Sequence, residues 1–119
     1  MWKYDQSSGN LDHDGTPVGA GYSGAGIYKN DPVAQNRHNE GPIPRGLYTI
    51  ESPRDTQSHG PYVLPLTPDA GNDMEGRSGF LMHGDSVAHP GTASQGCIIM
   101  PRAIREQVWQ SGDRALEVV

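Results

Sequence analysis

The chain has 119 residues, a formal net charge of −5 at pH 7 and one cysteine. This length fits a single domain, 1–119, and leaves no room for a second. A lone cysteine excludes an internal disulfide, and the lack of any lysine or arginine cluster argues against a nucleic-acid partner. No stretch approaches the ~18 apolar residues that a membrane span needs.

Short apolar runs recur along a chain that has 16 glycines and 10 prolines. Such a glycine and proline content raises the question of disorder. The runs "GLYTI", "PYVLPL", "GFLM", "GCIIM" and "ALEVV" are, however, separated by turn residues, as strands are. The sequence therefore predicts an ordered, mainly β fold with many short strands and long loops.

The predicted elements begin with an N-terminal meander. Turn residues divide the segment 2–22 into two or three strands. A long loop, 21–46, comes next, and two further loops, 52–60 and 67–79, each precede a predicted strand. We expect these three loops to converge at one end of a sheet.

One helix is predicted, over about 101–111. Pro101 suits its first turn, Ile104 and Val108 lie four residues apart on one face, and Gly112 is placed to end it. The run "RALEVV" then closes the chain as a strand. The expected architecture is mainly β with one helix.

Cys97 precedes the apolar run "IIM", and two interpretations of it are open. Free cysteine is among the most buried residue types, so "CIIM" can be a core strand with an inert thiol. Alternatively, Cys97 is a nucleophile, and that requires a base or a positive charge to lower the thiol pKa from about 8.5. His83, at the end of "GFLM", is the candidate base. If the two runs are neighbouring strands, the side chains meet at the mouth of the loop 84–96, and the thiol alkylates well below pH 8.

The residues beside this pair suit an oxyanion site. Gly96 can adopt a conformation closed to other residues, so that successive backbone N–H groups of the loop point to one place. Ser94 can fix the shape of the loop by hydrogen bonds, and Gly84 lets the substrate come close to His83.

A metal site is another possibility. His83, Asp85 and His89 have the spacing H-x-D-x3-H, which matches no recognised zinc pattern. The remaining histidines lie in polar turn sequence and are expected to be solvated: His13, His38 and His59.

The chain contains, in order, H-G, a glycine-containing loop and S-x-G-C before an apolar run. This order resembles the active-site signature of YkuD-like L,D-transpeptidases. Longer segments, such as "GYSGAGIYKNDPVAQNRHNEGPIPRGLYTI" and "MHGDSVAHPGTASQGCIIMPRAIREQVWQSGDRALEVV", are similar to the type VI secretion L,D-transpeptidase effectors, formerly a domain of unknown function. The similarity covers essentially the whole chain.

The resemblance implies a YkuD-like β-sandwich or barrel and a cysteine acyl-enzyme that needs no cofactor. By position, Cys97 corresponds to the nucleophile and His83 to the residue that accepts its proton. The backbone amides of Gln95, Gly96 and Cys97 correspond to the oxyanion site, and Ser94 to the hydroxyl residue of the motif.

The implied substrates are peptidoglycan tetrapeptide stems, and the implied reactions are L,D-carboxypeptidase cleavage and exchange with D-amino acids. Asp85, after the H-G pair, is expected to have a positioning role. Housekeeping L,D-transpeptidases usually carry S-H-G-C with an arginine two residues after the cysteine, whereas this chain has Gln95 and Ile99. The difference argues against ordinary cross-linking, and Arg102 is the candidate to replace the missing charge.

The resemblance also implies a toxin that a type VI secretion apparatus delivers to the periplasm of a target cell, with an immunity protein as a partner. We expect no signal peptide, because the opening "MWKYDQSSGN" has no apolar region. Two alternatives to the cysteine enzyme are a zinc carboxypeptidase built on His83, Asp85 and His89, and a non-catalytic cell-wall binding module with a buried Cys97.

Overall fold

A computed structural model describes residues 1–119 and has ten strands and one α-helix. The strands, in chain order, are β1 Trp2–Tyr4, β2 Asn10–His13, β3 Thr16–Ala20, β4 Tyr22–Ser23, β5 Gly46–Ile50, β6 Arg54–Thr56, β7 Gly60–Pro68, β8 Leu81–His83, β9 Ile98–Ile99 and β10 Ala115–Val118. The helix, α1, is Arg102–Gln110, and two 3-10 turns are Gly26–Tyr28 and Pro32–Ala34. The predicted mainly β fold with one helix near 101–111 is confirmed.

Nine strands form one mixed sheet in the order β3-β2-β1-β10-β5-β7-β8-β9-β4, with β6 added beside β7. The predicted N-terminal meander is β1 to β3, whose neighbours are antiparallel. Two pairs are parallel, β1 with β10 and β8 with β9. The outermost strands of this order, β3 and β4, are separated in the chain by Gly21 alone. The sheet must therefore curl to bring its two ends together.

The curled sheet encloses one hydrophobic cluster of 15 buried residues. In β1, Trp2 and Tyr4 point into it while Lys3 is exposed, as the two-residue period of a strand requires. The partner strand β10 contributes Leu116 and Val118 in register with them. The chain ends are thus held in the middle of the sheet by buried apolar side chains.

Helix α1 packs across β7 and β8. Val108 is fully buried in the core cluster and Ile104 packs against that cluster, which confirms the predicted apolar face. Gly112 has a φ of +77°, a conformation that glycine adopts readily and that ends helices. Nine residues is too short for a bilayer crossing, and no helix of this structure has the length and apolar character to span a membrane.

Candidate active site

Two paired strands position the cysteine and the histidine. In the parallel pair of β8 and β9, Met82 lies opposite Ile98 and His83 lies opposite Ile99. Because Met82 and Ile98 belong to the core cluster, His83 and Ile99 face the other side of the sheet. Cys97 lies directly before β9, beside the strand that carries His83.

Cys97 and His83 line a cleft of about 1070 Å³. The three loops that the sequence predicted to converge all contribute to its walls, through His38 and Asn39, Ser58 and His59, and Gly76 to Phe80. Of the other predicted site residues, Gly84, Asp85, Gln95 and Gly96 also line the cleft. Ser94 lies behind the wall, and His89 lies outside it.

His83 has the protonation state of a general base. The residue is 3% exposed, and Nδ1 lies 2.8 Å from the Gly84 carbonyl oxygen. A carbonyl only accepts hydrogen bonds, so Nδ1 carries the proton and Nε2 has a free lone pair. Burial lowers the pKa of His83, and the neighbouring His59 and Arg105 lower it further. The imidazole is therefore neutral near pH 7 and able to accept a proton at Nε2.

The Cys97 thiol does not form an ion pair with this histidine. Its only hydrogen-bond acceptor is the carbonyl oxygen of Gly79, at 4.0 Å from Sγ. Burial raises the pKa of Cys97 above its ordinary value, while the Leu81 amide and the Arg77 guanidinium offset part of that effect. This differs from the low thiol pKa expected from the sequence. The thiol is protonated at neutral pH, and a reaction at Cys97 requires a base to remove the proton.

We expect Cys97 in the folded protein to react with iodoacetamide at a rate that rises through a midpoint above the ordinary thiol value of about 8.5. Burial disfavours the thiolate, so the reactive form appears only at higher pH. The measurement is the alkylation rate by mass spectrometry between pH 6 and pH 10. Protein unfolded in urea, with its midpoint at the ordinary value, is the control. A midpoint well below 8.5 for the folded protein would instead indicate a thiolate–imidazolium pair.

A hydrogen-bond network centred on Ser94 fixes the loop before Cys97. Ser94 Oγ accepts from the amides of Gly24 at 2.9 Å and Gly96 at 3.1 Å, and donates to the Cys97 carbonyl at 2.7 Å. Ser23 Oγ donates to the Gly96 carbonyl at 3.1 Å. These bonds hold the backbone of the nucleophile without using its thiol.

The same network decides which amides are free to bind an oxyanion. The Gly96 amide is occupied by Ser94, so it is not available to a substrate. The amides of Gln95 and Cys97 donate to no other group of the chain. Gly96 has a φ of +141°, and a β-carbon there would lie 2.3 Å from Arg77 Nη2. Glycine at this position therefore lets the loop approach that guanidinium.

Arg77 is a structural centre of the site that the sequence did not reveal. It is 7% exposed, and its guanidinium donates four hydrogen bonds of 2.7–3.2 Å to backbone carbonyls. The acceptors are the carbonyls of Gln35, Gly41, Pro42 and Gln95. Arg77 therefore ties the loop that carries the nucleophile to the long loop between β4 and β5.

Asp85 organises the loop after His83. Its carboxylate accepts hydrogen bonds from the Tyr22 hydroxyl at 2.6 Å, the Ser86 amide at 2.8 Å and the Gly91 amide at 3.0 Å. Tyr22 in turn accepts from the Ala93 amide at 3.0 Å. No hydrogen bond joins Asp85 to His83, so Asp85 shapes the cleft wall and does not orient the base.

The geometry gives no support to the zinc alternative. The ligand atoms of His83, Asp85 and His89 do not come together within 4.8 Å of one another. The one group of three such residues in the chain is His13, Asp14 and Asp113, which lies beside the N-terminal amine and does not line the cleft.

Two arginines of α1 line the cleft in different ways. Arg105 is buried and donates to the carbonyls of Pro61, Tyr62 and Met100. The Arg102 side chain is 55% exposed, with Glu106 at 3.5 Å as its ionic partner. Arg105 therefore has a structural role, while Arg102 presents its charge to the solvent in the cleft.

Fold and site together define a mainly β protein with a cysteine and a neutral histidine in one cleft. The family model of the Tlde1 domain matches residues 18–118. The chain therefore belongs to the Tlde1 family, whose members are antibacterial type VI secretion effectors. No curated protein and no solved structure matches the chain.

Proposed function

We propose that this effector is a cysteine enzyme that acts as an L,D-carboxypeptidase and exchange enzyme on peptidoglycan tetrapeptide stems. The observation that supports it is the shared position of Cys97 and His83, which lie beside one pair of strands and line one cleft. The free lone pair on Nε2 of His83 supplies the base that a protonated thiol needs.

In the first half of the reaction, Nε2 of His83 takes the thiol proton as Cys97 Sγ attacks the carbonyl carbon of the L-centre of diaminopimelate. The amides of Gln95 and Cys97 are the available donors for the resulting oxyanion. The tetrahedral intermediate collapses, the carbon–nitrogen bond breaks, and His83 returns its proton to the departing D-alanine amine. The stem remains on Cys97 as a thioester.

In the second half, His83 accepts a proton from the incoming nucleophile, which attacks the thioester carbonyl. The carbon–sulfur bond breaks and the proton passes to the Cys97 thiolate. Water as the nucleophile yields a tripeptide, and a D-amino acid yields a stem with a new fourth residue. Both products lack the original donor stem that later cross-linking uses. Neither half of the reaction requires a cofactor.

The charge of the cleft fits an anionic substrate. Its lining contains three arginines but one carboxylate, Asp85, in a chain with a formal charge of −5. Peptide stems carry carboxylates, so a locally positive cleft favours their approach and binding. The cleft lining is thus positive in a chain that is negative as a whole.

We expect tetrapeptide stems to lose D-alanine and pentapeptide stems ending in D-Ala-D-Ala to remain intact, because the attacked carbonyl belongs to an L-centre. The measurement is mass spectrometry of muropeptides incubated with the pure protein, with and without an added D-amino acid. Release of D-alanine from the pentapeptide would indicate a D,D-enzyme. No change in any stem would contradict the proposed activity.

We further propose that the protein acts in the target-cell periplasm and that an immunity protein protects the producer by covering the cleft. Peptidoglycan stems lie outside the inner membrane, so an enzyme acting on them has to reach that compartment. Delivery by a type VI apparatus, the class of effector to which the family belongs, supplies this route.

The raised pKa of Cys97 favours a second candidate, a non-catalytic cell-wall binding module with an inert thiol. Such a module would leave every muropeptide unchanged. It would bind peptidoglycan equally well with and without Cys97, so substitution of this cysteine separates the two functions.

A further inference from the structure

His59 is a second histidine beside the base. It lies in the turn between β6 and β7, is exposed and lines the cleft. Its ring centroid is 4.7 Å from that of His83, with the two rings tilted by 52°. The sequence placed His59 among solvated turn residues, so its contact with His83 is a finding of the structure.

The groups around His83 differ in what they can offer to a substrate. Arg105, from α1, donates to three backbone carbonyls, and Asp85, from the following loop, accepts from Tyr22 and from loop amides. His59 bonds within the chain through one ring nitrogen, Nδ1, which lies 3.0 Å from Ser58 Oγ. Nε2 of His59 has no hydrogen-bond partner in the chain, so it is the ring nitrogen that is free to bind a ligand.

Proton transfer in the proposed reaction fixes where a ligand lies. Nδ1 of His83 is occupied by the Gly84 carbonyl, so both the departing and the incoming amine must exchange protons with Nε2. These two amines use the same location, because the second half of an exchange reaction reverses the first. In D-alanine, a single carbon separates the amine from the carboxylate. Because the amine is at Nε2 of His83, the carboxylate one carbon away lies within reach of a side chain that contacts His83.

Resting on the proposed function, we propose that His59 binds the free α-carboxylate of the terminal D-alanine and of the D-amino acid that replaces it. Ser58 Oγ lies 3.0 Å from Nδ1 of His59, and a hydroxyl can donate to that nitrogen. In the tautomer that the proposal uses, Nδ1 accepts from Ser58, and Nε2 carries the proton and donates to the carboxylate. This contact selects chain ends and makes the enzyme act on the last residue of a stem. Water lacks the carboxylate, so the same contact favours exchange over hydrolysis.

The test compares two synthetic tetrapeptide stems, one with a free terminal carboxylate and one with a terminal amide. We expect the wild-type protein to release D-alanine from the acid about tenfold or more faster, as kcat/KM, than it releases D-alaninamide from the amide. A hydrogen bond to a charged group has an effect of this size. His59→Phe keeps an aromatic ring against His83 but removes the donor, so its preference should fall to near unity. Its ratio of exchange to hydrolysis should fall as well.

His59→Gln, which keeps an N–H donor, should restore part of the preference for the acid. His38→Phe is the matched control, since His38 lines the same cleft but bonds to the Glu75 carbonyl at 2.9 Å, and it should behave as wild type. Equal rates on acid and amide for the wild-type protein, or an unchanged preference in His59→Phe, would overturn the inference and leave the proposed function standing. If the wild-type protein cleaves neither stem, the proposed function fails, and the inference fails with it.

Discussion

Replacing Cys97 with alanine is expected to reduce D-alanine release by about 10⁴-fold or more, which is the scale of losing a catalytic nucleophile. The fold should survive, because the thiol is only partly buried and its one hydrogen-bond contact is long, at 4.0 Å. We expect the free energy of unfolding to fall by about 1 kcal/mol or less. The measurements are D-alanine release by mass spectrometry and urea unfolding followed by circular dichroism.

The same variant tests the effector in cells. The wild-type protein exported to the periplasm of a susceptible bacterium should be toxic, whereas the exported Cys97→Ala variant and the cytoplasmic wild-type protein should be harmless. Ser78→Ala, at an exposed position of the same cleft, is the matched control and should remain active. Retained turnover in a folded Cys97→Ala protein would show that Cys97 is not the nucleophile.

Replacing Arg77 with methionine is expected to lower the free energy of unfolding by about 3 kcal/mol or more, because each buried acceptor left without a donor costs about 1–3 kcal/mol. Four carbonyls lose their donor at once, and two of these bonds are to the buried carbonyls of Gly41 and Pro42. Arg77→Lys should rescue little of this loss, because an ammonium has no planar fork with which to reach carbonyls of separate loops. Urea unfolding measures both effects.

An exposed arginine supplies the control for this prediction. Arg54→Met, in β6, should change stability by about 0.5 kcal/mol or less. If Arg77→Met is as stable as Arg54→Met, then the four hydrogen bonds are not what holds the nucleophile loop. If it is unstable as expected, activity measured at low temperature should also be lower, because the Gln95 carbonyl and the adjoining amides lose their anchor.

The strands and the helix were predictable because their signals are local. Ile104, Val108 and Gly112 mark the helix within one stretch of sequence, and the alternation of Trp2 and Tyr4 marks a strand. Each of these patterns lies within its own element, so no distant partner has to be known. The pairing of β8 with β9 was a conditional expectation from two apolar runs that flank one polar loop, and the structure bears it out.

The interior of the site was less predictable because its contacts join loops that have no period. Arg77 reaches the Gly41 carbonyl across 36 residues, and Tyr22 reaches Asp85 across 63. In both cases a loop supplies at least one of the partners, and nothing in a single sequence states which loops meet. The raised pKa of Cys97 was missed for a similar reason, since the burial of a thiol depends on how distant segments close around it.

The position of β10 between β1 and β5 has a consequence for how the chain folds. Residues 115–118 form the only ladder that connects the N-terminal meander to the rest of the sheet. Until they are in place, the meander is a small isolated group of strands, which is marginally stable on its own. Closing the sheet has to bring together segments from opposite ends of the chain, so its loop-closure entropy is large and its folding is expected to be slow. A chain that unfolds during delivery would have to regain this last pairing before its cleft is complete.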